Sequence, residues 1–239
     1  MFVHGLGGTG TDIWKKVIAE LARDYRVVTY DLRGSGASET TPGPYTIDLL
    51  VDDLDALLDA LDLGQVALVG HSLGGGIALC EAARHPERVR AVVGVGAVTA
   101  LAEAGRDAMR ARAETVEAGG MAAVAETVAT NGLAPSFREA HPEELQELIS
   151  LLGSAGVSGY AAQCRALASM DLGEELGRIA APTLFVAGEH DQSSSVAVNE
   201  ANATAIPRAS LIVIPNCAHI IPWEKPAELL EAVRPFLQA

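Results

Sequence analysis

At 239 residues and 49% hydrophobic, the chain is long enough and apolar enough to bury a substantial core, which excludes a disordered segment or a coiled coil. Its 31 Asp and Glu outweigh 17 Lys and Arg to leave a formal charge of −14, a surface that repels nucleic acid and anionic membrane. Cys80, Cys164 and Cys217 are odd in number and far apart, which argues against a disulfide framework or thiolate metal cluster. With no signal peptide or membrane-spanning run in view, free thiols point to a reducing, cytoplasmic setting.

Along the chain, apolar runs alternate with longer amphipathic ones, the pattern of an α/β fold with a mostly parallel central sheet and helices on both faces. Residues 1–4 read as the end of a strand, 11–23 as a helix and 25–30 as the next strand. Residues 46–61 are a strong helix, with Leu49, Leu50, Leu54, Leu57, Leu58 and Leu61 recurring on one face. Strands are predicted at 65–69, 89–95, 182–187 and 210–214, and helices at 73–84, 196–206 and 226–237. Over 99–170 the strand signal stops, and breaks at Gly119-Gly120, 132–136, His141-Pro142 and 153–159 divide the segment into about four short helices. The sheet is complete without this block. It is expected to be a helical cap inserted between core segments 1–98 and 171–239 and seated over the sheet's carboxyl edge.

The chemistry centres on Gly70-His71-Ser72-Leu73-Gly74-Gly75, which joins an apolar strand to a helix. In a G-x-S-x-G elbow the chain reverses so tightly that Gly70 and Gly74 have no room for a Cβ, and the serine stands proud of the strand end. A serine hydroxyl needs a histidine to take its proton and an acid to orient that histidine. Asp191 follows the 182–187 strand and His219 follows the 210–214 strand, so both lie on the elbow side of a parallel sheet. Glu189 and His190 are the neighbouring rivals of Asp191. Two backbone donors are expected to face the developing oxyanion, the N–H of Leu73 and that of Leu6 in the turn His4-Gly5-Leu6-Gly7-Gly8. That turn lacks the lysine and the spacing of a nucleotide-binding loop. Asp31 and Arg33 read as a pair bracing a tight loop, and His85 and His141 as partly exposed residues at helix ends before proline. His4, His71 and His219 are the trio a catalytic metal would use, but they are scattered around a serine-centred cleft, and no metal is predicted there.

These motifs, taken in order with Asp31-Leu32-Arg33-Gly34-Ser35-Gly36 and Glu224-Lys225-Pro226, make the chain resemble an α/β-hydrolase with a helical cap along essentially its whole length. Within that superfamily it is most similar to the 3-oxoadipate enol-lactonase group, through residues 159–167, Met170-Asp171-Leu172 and 205–209. Two departures stand out. The family's sheet begins with a strand pair ahead of the oxyanion loop, whereas here nothing precedes Met1-Phe2-Val3, so that pair is expected to be absent or truncated. The cap offers Leu133-Ala134-Pro135-Ser136-Phe137 where that group often has an aromatic-rich turn.

The expected activity is hydrolysis of a small carboxylic ester or lactone, an enol-lactone included, through an acyl-enzyme on Ser72 and without a cofactor. The alternatives are a carbon–carbon bond hydrolase acting on a vinylogous diketone acid, and a non-enzymatic small-ligand receptor that retains the triad. His71, Phe137, Arg165 and Trp223 are the candidate substrate contacts, with Arg165 chosen to meet a substrate carboxylate. The partner is a small molecule, and the sequence assigns no oligomeric state.

Overall fold

Strands rich in β-branched residues and separated by helix-forming sequence pair in parallel, because each crossover spends its length on a helix. In a computed structural model that describes residues 1–238, these strands are β1 (Phe2–Val3), β2 (Val66–His71), β3 (Val89–Val95), β4 (Thr183–Gly188) and β5 (Ala209–Ile214). They form one sheet in the order β1-β2-β3-β4-β5, parallel throughout, so their carboxyl ends share one edge.

Side chains alternate across this sheet and are apolar on both faces. Leu68, Val92 and Phe185 pack toward α2 (Ile47–Ala60) and α3 (Leu73–Arg84), with Leu54, Leu58 and Ile77. Val69, Val93, Leu184 and Val186 turn the other way, toward α1 (Lys15–Leu21) and the final helix Pro226–Gln238, with Trp14, Val17, Leu229 and Val233. In α2, Thr46 caps the first turn by accepting from the Leu49 N–H at 3.1 Å. Such a cap is worth ~1 kcal/mol. Leu50, Leu54 and Leu58 are fully buried and contribute about 2 kcal/mol each, so the stripe rather than the cap sets the helix's orientation. Leu61 falls just past the helix end and is exposed, leaving the predicted stripe one residue shorter.

Between β3 and β4 the chain forms α4 (Glu103–Gly119), α5 (Ala125–Gly132), α6 (Pro135–Ala140), α7 (Pro142–Gly153) and α8 (Val157–Ala168). The first ends at the expected Gly119-Gly120 break, and the proline at 135 starts a further helix, so the described segment holds five α-helices where about four were expected. The chain leaves and re-enters the sheet side by side: Ala100 bridges Asp171, and the Leu172 N–H donates to the Thr99 carbonyl at 2.9 Å. Beyond β4 lie α9 (Val196–Ala205), α10 (Ile221–Glu224) and α11 (Pro226–Gln238).

Three further expectations are corrected. Residues 25–30 do not form a strand; β1 has only two residues, and a single bridge from Phe2 to Thr29 is all it supports on that side. The helix expected over 11–23 is confined to 15–21, preceded by turns. Arg33 does not pair with Asp31. Its guanidinium is held by Asp53 on α2 and by the Thr41 hydroxyl, while Asp31 accepts the Gly10 N–H at 2.7 Å and the Ala37 N–H at 2.8 Å. Among the described residues no helix is long and apolar enough to cross a membrane.

Candidate active site

β2 ends at the sheet's carboxyl edge, and the chain turns into α3 through Ser72 alone. Ser72 sits at φ 54° and ψ −118°, a left-handed conformation that a residue with a Cβ rarely adopts. Its neighbours make the turn possible. A Cβ on Gly70 would run into the Gly74 carbonyl, and one on Gly74 into the carbonyls of Val3 and His4. The Ser72 N–H donates to Val95 at 3.0 Å, and its own carbonyl accepts from Gly75, Gly76 and Val98, so the strained residue is held from both strands and helix.

The loops after β4 and β5 bring the two predicted partners to this serine. His219 Nε2 lies 3.0 Å from Ser72 Oγ, and His219 Nδ1 lies 2.8 Å from Asp191 Oδ2. The other carboxylate oxygen of Asp191 accepts the N–H groups of Ser193 at 2.7 Å and Ser194 at 2.9 Å. Burial alone would raise the Asp191 pKa. The adjoining His219 charge, its hydrogen bond and the two backbone donors outweigh this and hold the carboxyl below its ordinary range. The rivals point elsewhere: Glu189 accepts the Asn216 N–H at 2.8 Å, and His190 is exposed.

Leu73 opens α3, so its N–H has no acceptor within the helix. Leu6 lines the same cavity as Ser72, and among the described residues neither N–H is taken by a protein acceptor. Gly5 fits directly against the serine, since a Cβ there would lie 3.0 Å from the Ser72 Cβ, and Gly7 has a left-handed φ of 78°. His4, weighed in the sequence only as a metal ligand, has a different task. It is fully buried, with Nδ1 donating to the Gly5 carbonyl at 2.7 Å and Nε2 accepting the Leu32 N–H at 2.9 Å, so it pins the Gly5–Leu6 turn to the neighbouring loop. Both ring nitrogens are occupied. A metal shared by His4, His71 and His219 is thereby disfavoured, since His71 Nε2 also donates, at 3.0 Å, to the His219 carbonyl. Burial, then the His219 charge, lowers the His71 pKa to about 3, so this ring is neutral. The cysteines are equally poor nucleophiles. Burial raises all three thiols, Cys80 and Cys164 to about 12.

Ser72 and His219 open into a cavity of about 250 Å³ bordered by α4, α5, α7 and α8 and walled largely by apolar side chains such as Leu6, Ile13, Val98, Met109, Val128 and Leu152. His71 lines it, as expected from the sequence. The other proposed contacts do not. Arg165 points outward, where both guanidinium nitrogens hold Glu117 at 2.7 Å. Phe137 packs against His141, the rings tilted by 39° with centroids 4.7 Å apart. Trp223 is buried in the core, with Lys15 Nζ 4.6 Å from its ring centroid. The arginine that does line the cavity is Arg112 on α4, together with Asn131, Gln192 and Tyr160, whose hydroxyl has no hydrogen-bond partner among the described residues. Unlike Arg106, Arg110 and Arg165, it has no carboxylate within ion-pair distance among the described residues. A usable signal was present: Gly105, Ala108, Met109 and Arg112 fall at i, i+3, i+4 and i+7, one face of α4.

The fold and the elbow geometry define an α/β-hydrolase architecture, and the comparison of sequences agrees. Residues 1–226 match the family described as the alpha/beta hydrolase fold, and the chain belongs to that family. It is 36% identical, over 231 residues covering 97% of its own length and 85% of the relative's, to 3-oxoadipate enol-lactonase 2 of Acinetobacter baylyi. Two solved structures superpose on it with a TM-score of 0.93. One is a thermophilic esterase from Thermogutta terrifontis, 31% identical, with 99% of this chain and 88% of that one covered. The other is the enol-lactonase from Burkholderia xenovorans, 29% identical, with 100% and 90% covered.

Proposed function

We propose that the protein hydrolyses a small carboxylic ester or lactone through a Ser72 acyl-enzyme, with an enol-lactone bearing a carboxylate as the preferred class. The observation that carries this reading is the relay Ser72 Oγ, His219 and Asp191, with its 3.0 Å and 2.8 Å contacts at the mouth of an apolar cavity. His219 takes the Ser72 proton as the hydroxyl attacks the carbonyl carbon, then gives it to the departing alkoxide or enolate oxygen. The same histidine then draws a proton from water, whose oxygen attacks the acyl carbon and releases Ser72. Asp191 stays ionised, orients the imidazole and stabilises its cationic form. The N–H groups of Leu6 and Leu73 would receive the oxyanion, each worth ~3 kcal/mol in the transition state.

The helices over residues 99–170 act as a cap that walls the cleft and supplies Arg112 to an anionic substituent. The similarity to an enol-lactonase and an esterase supports the ester and lactone class. A panel of esters, lactones and vinylogous diketone acids, assayed on wild type and Ser72→Ala, tests this. Wild-type turnover confined to esters and lactones, lost in Ser72→Ala, is the expected result. Turnover of the diketone acid alone would make the enzyme a carbon–carbon hydrolase. No turnover of any class would favour a ligand receptor.

A further inference from the structure

Away from the cleft, α3 carries a second set of chemically capable side chains that hydrolysis does not use. Glu81 sits in the last turn of α3 and His85 is the residue just past its end, with its N–H donating to the Glu81 carbonyl at 2.8 Å, and α2 places Asp55 opposite them. One ligand-capable atom from each lies within 4.8 Å of the other two. Glu81 is fully buried, yet among the described residues neither of its carboxylate oxygens has a hydrogen-bond partner. The neighbouring cations do not answer it. Arg88 Nη1 is held 2.8 Å from Asp59 and 3.1 Å from Asp55 Oδ1, and Arg84 is engaged by Asp48 and Glu175. A dry carboxylate with both oxygens free needs a bound cation or a proton to be tolerable.

We propose that Asp55, Glu81 and His85 bind a divalent transition-metal ion that clamps α2 to α3. Two carboxylates and one imidazole are a donor set for Zn²⁺ or Mn²⁺, and the nitrogen ligand disfavours Mg²⁺ and Ca²⁺. His85 is partly exposed and provides the path from solvent. Glu81 lies nine residues past Ser72, about 13 Å along the helix axis, so the ion supports the element that carries the serine and takes no part in the hydrolytic steps.

Isothermal titration of chelator-treated full-length protein with ZnCl₂, alongside thermal unfolding with and without the metal, tests the site. Wild type is expected to bind one Zn²⁺ and unfold at higher temperature in its presence, with MgCl₂ giving neither effect. Glu81→Gln and His85→Ala should each weaken binding by roughly 100-fold and abolish the thermal shift. The control His141→Ala should bind as wild type does. Glu81→Gln keeps the side chain's shape and loses only its charge, so its metal-free melting temperature reports whether it folds. Zn²⁺ binding that survives in both ligand variants, or no binding by wild type, overturns the proposal. The second outcome would make Glu81 and Asp55 a pair sharing a proton.

Discussion

Ser72 holds a backbone conformation that costs a residue with a Cβ on the order of 1 kcal/mol or more, and the hydroxyl it presents makes no packing contribution to offset this. Ser72→Ala should therefore fold with wild-type stability and lose ester hydrolysis. Ser72→Gly should be equally inactive yet more stable by ~1 kcal/mol, because glycine adopts φ 54° without strain. Urea unfolding of the two variants checks the difference; a less stable glycine variant would contradict the strain account. At Asp191 the carboxylate has three hydrogen-bond partners, and only one of them, His219, takes part in the proposed reaction. Asp191→Asn should preserve the loop through Ser193 and Ser194 while lowering kcat by roughly 10⁴-fold. Steady-state kinetics beside circular dichroism would separate that loss from unfolding.

Helices decide which side chains reach the cleft, and they do so by rotation about their own axes. On α8 the buried face is Tyr160, Gln163, Cys164 and Leu167, so Arg165, one residue beyond Cys164 and ~100° around the helix, is carried outward to Glu117. On α4 the face formed by Gly105, Ala108, Met109 and Arg112 is turned inward. Arg112→Leu is expected to cut kcat/KM for a carboxylate-bearing lactone by ~30-fold, as loss of a desolvated ion pair worth ~2 kcal/mol would. It should leave the neutral methyl ester nearly unchanged. Arg165→Ala should affect neither substrate. Equal losses on both substrates in Arg112→Leu would remove this residue from anion recognition.

For the molecule as a whole, the buried histidines make stability depend on pH. His71 is neutral in the fold with a pKa of about 3, and burial also lowers His4, whereas both take up protons near pH ~6.5 once unfolded. At these two rings the unfolded chain therefore binds more protons between those values, so their contribution to stability is retained above pH ~6.5 and lost as pH falls toward 3. His71 alone accounts for ~3 kcal/mol of loss by pH ~4. Asp191, held below its ordinary pKa, adds to the loss at the acid end of the range. Unfolding free energies measured at pH ~7.5, ~5 and ~4 should fall more steeply, or rise less, for wild type than for His71→Gln. Parallel slopes would contradict a neutral buried ring.

The sequence by itself determined the parallel α/β architecture and the positions of Ser72, Asp191 and His219 at the ends of β2, β4 and β5. These follow from local rules: apolar runs set the strands, and the glycines at 70 and 74 leave one way round the elbow. The tertiary structure alone decided that Arg112 rather than Arg165 faces the cavity and that Arg33 reaches Asp53. It also decided that His4 braces the Gly5–Leu6 turn, that residues 25–30 keep a single bridge, and that Asp55, Glu81 and His85 converge. Each of these depends on how segments far apart in the chain are rotated and docked against one another. Hydrophobic periodicity says which face of an element is buried, but not which polar side chain at its margin meets which partner.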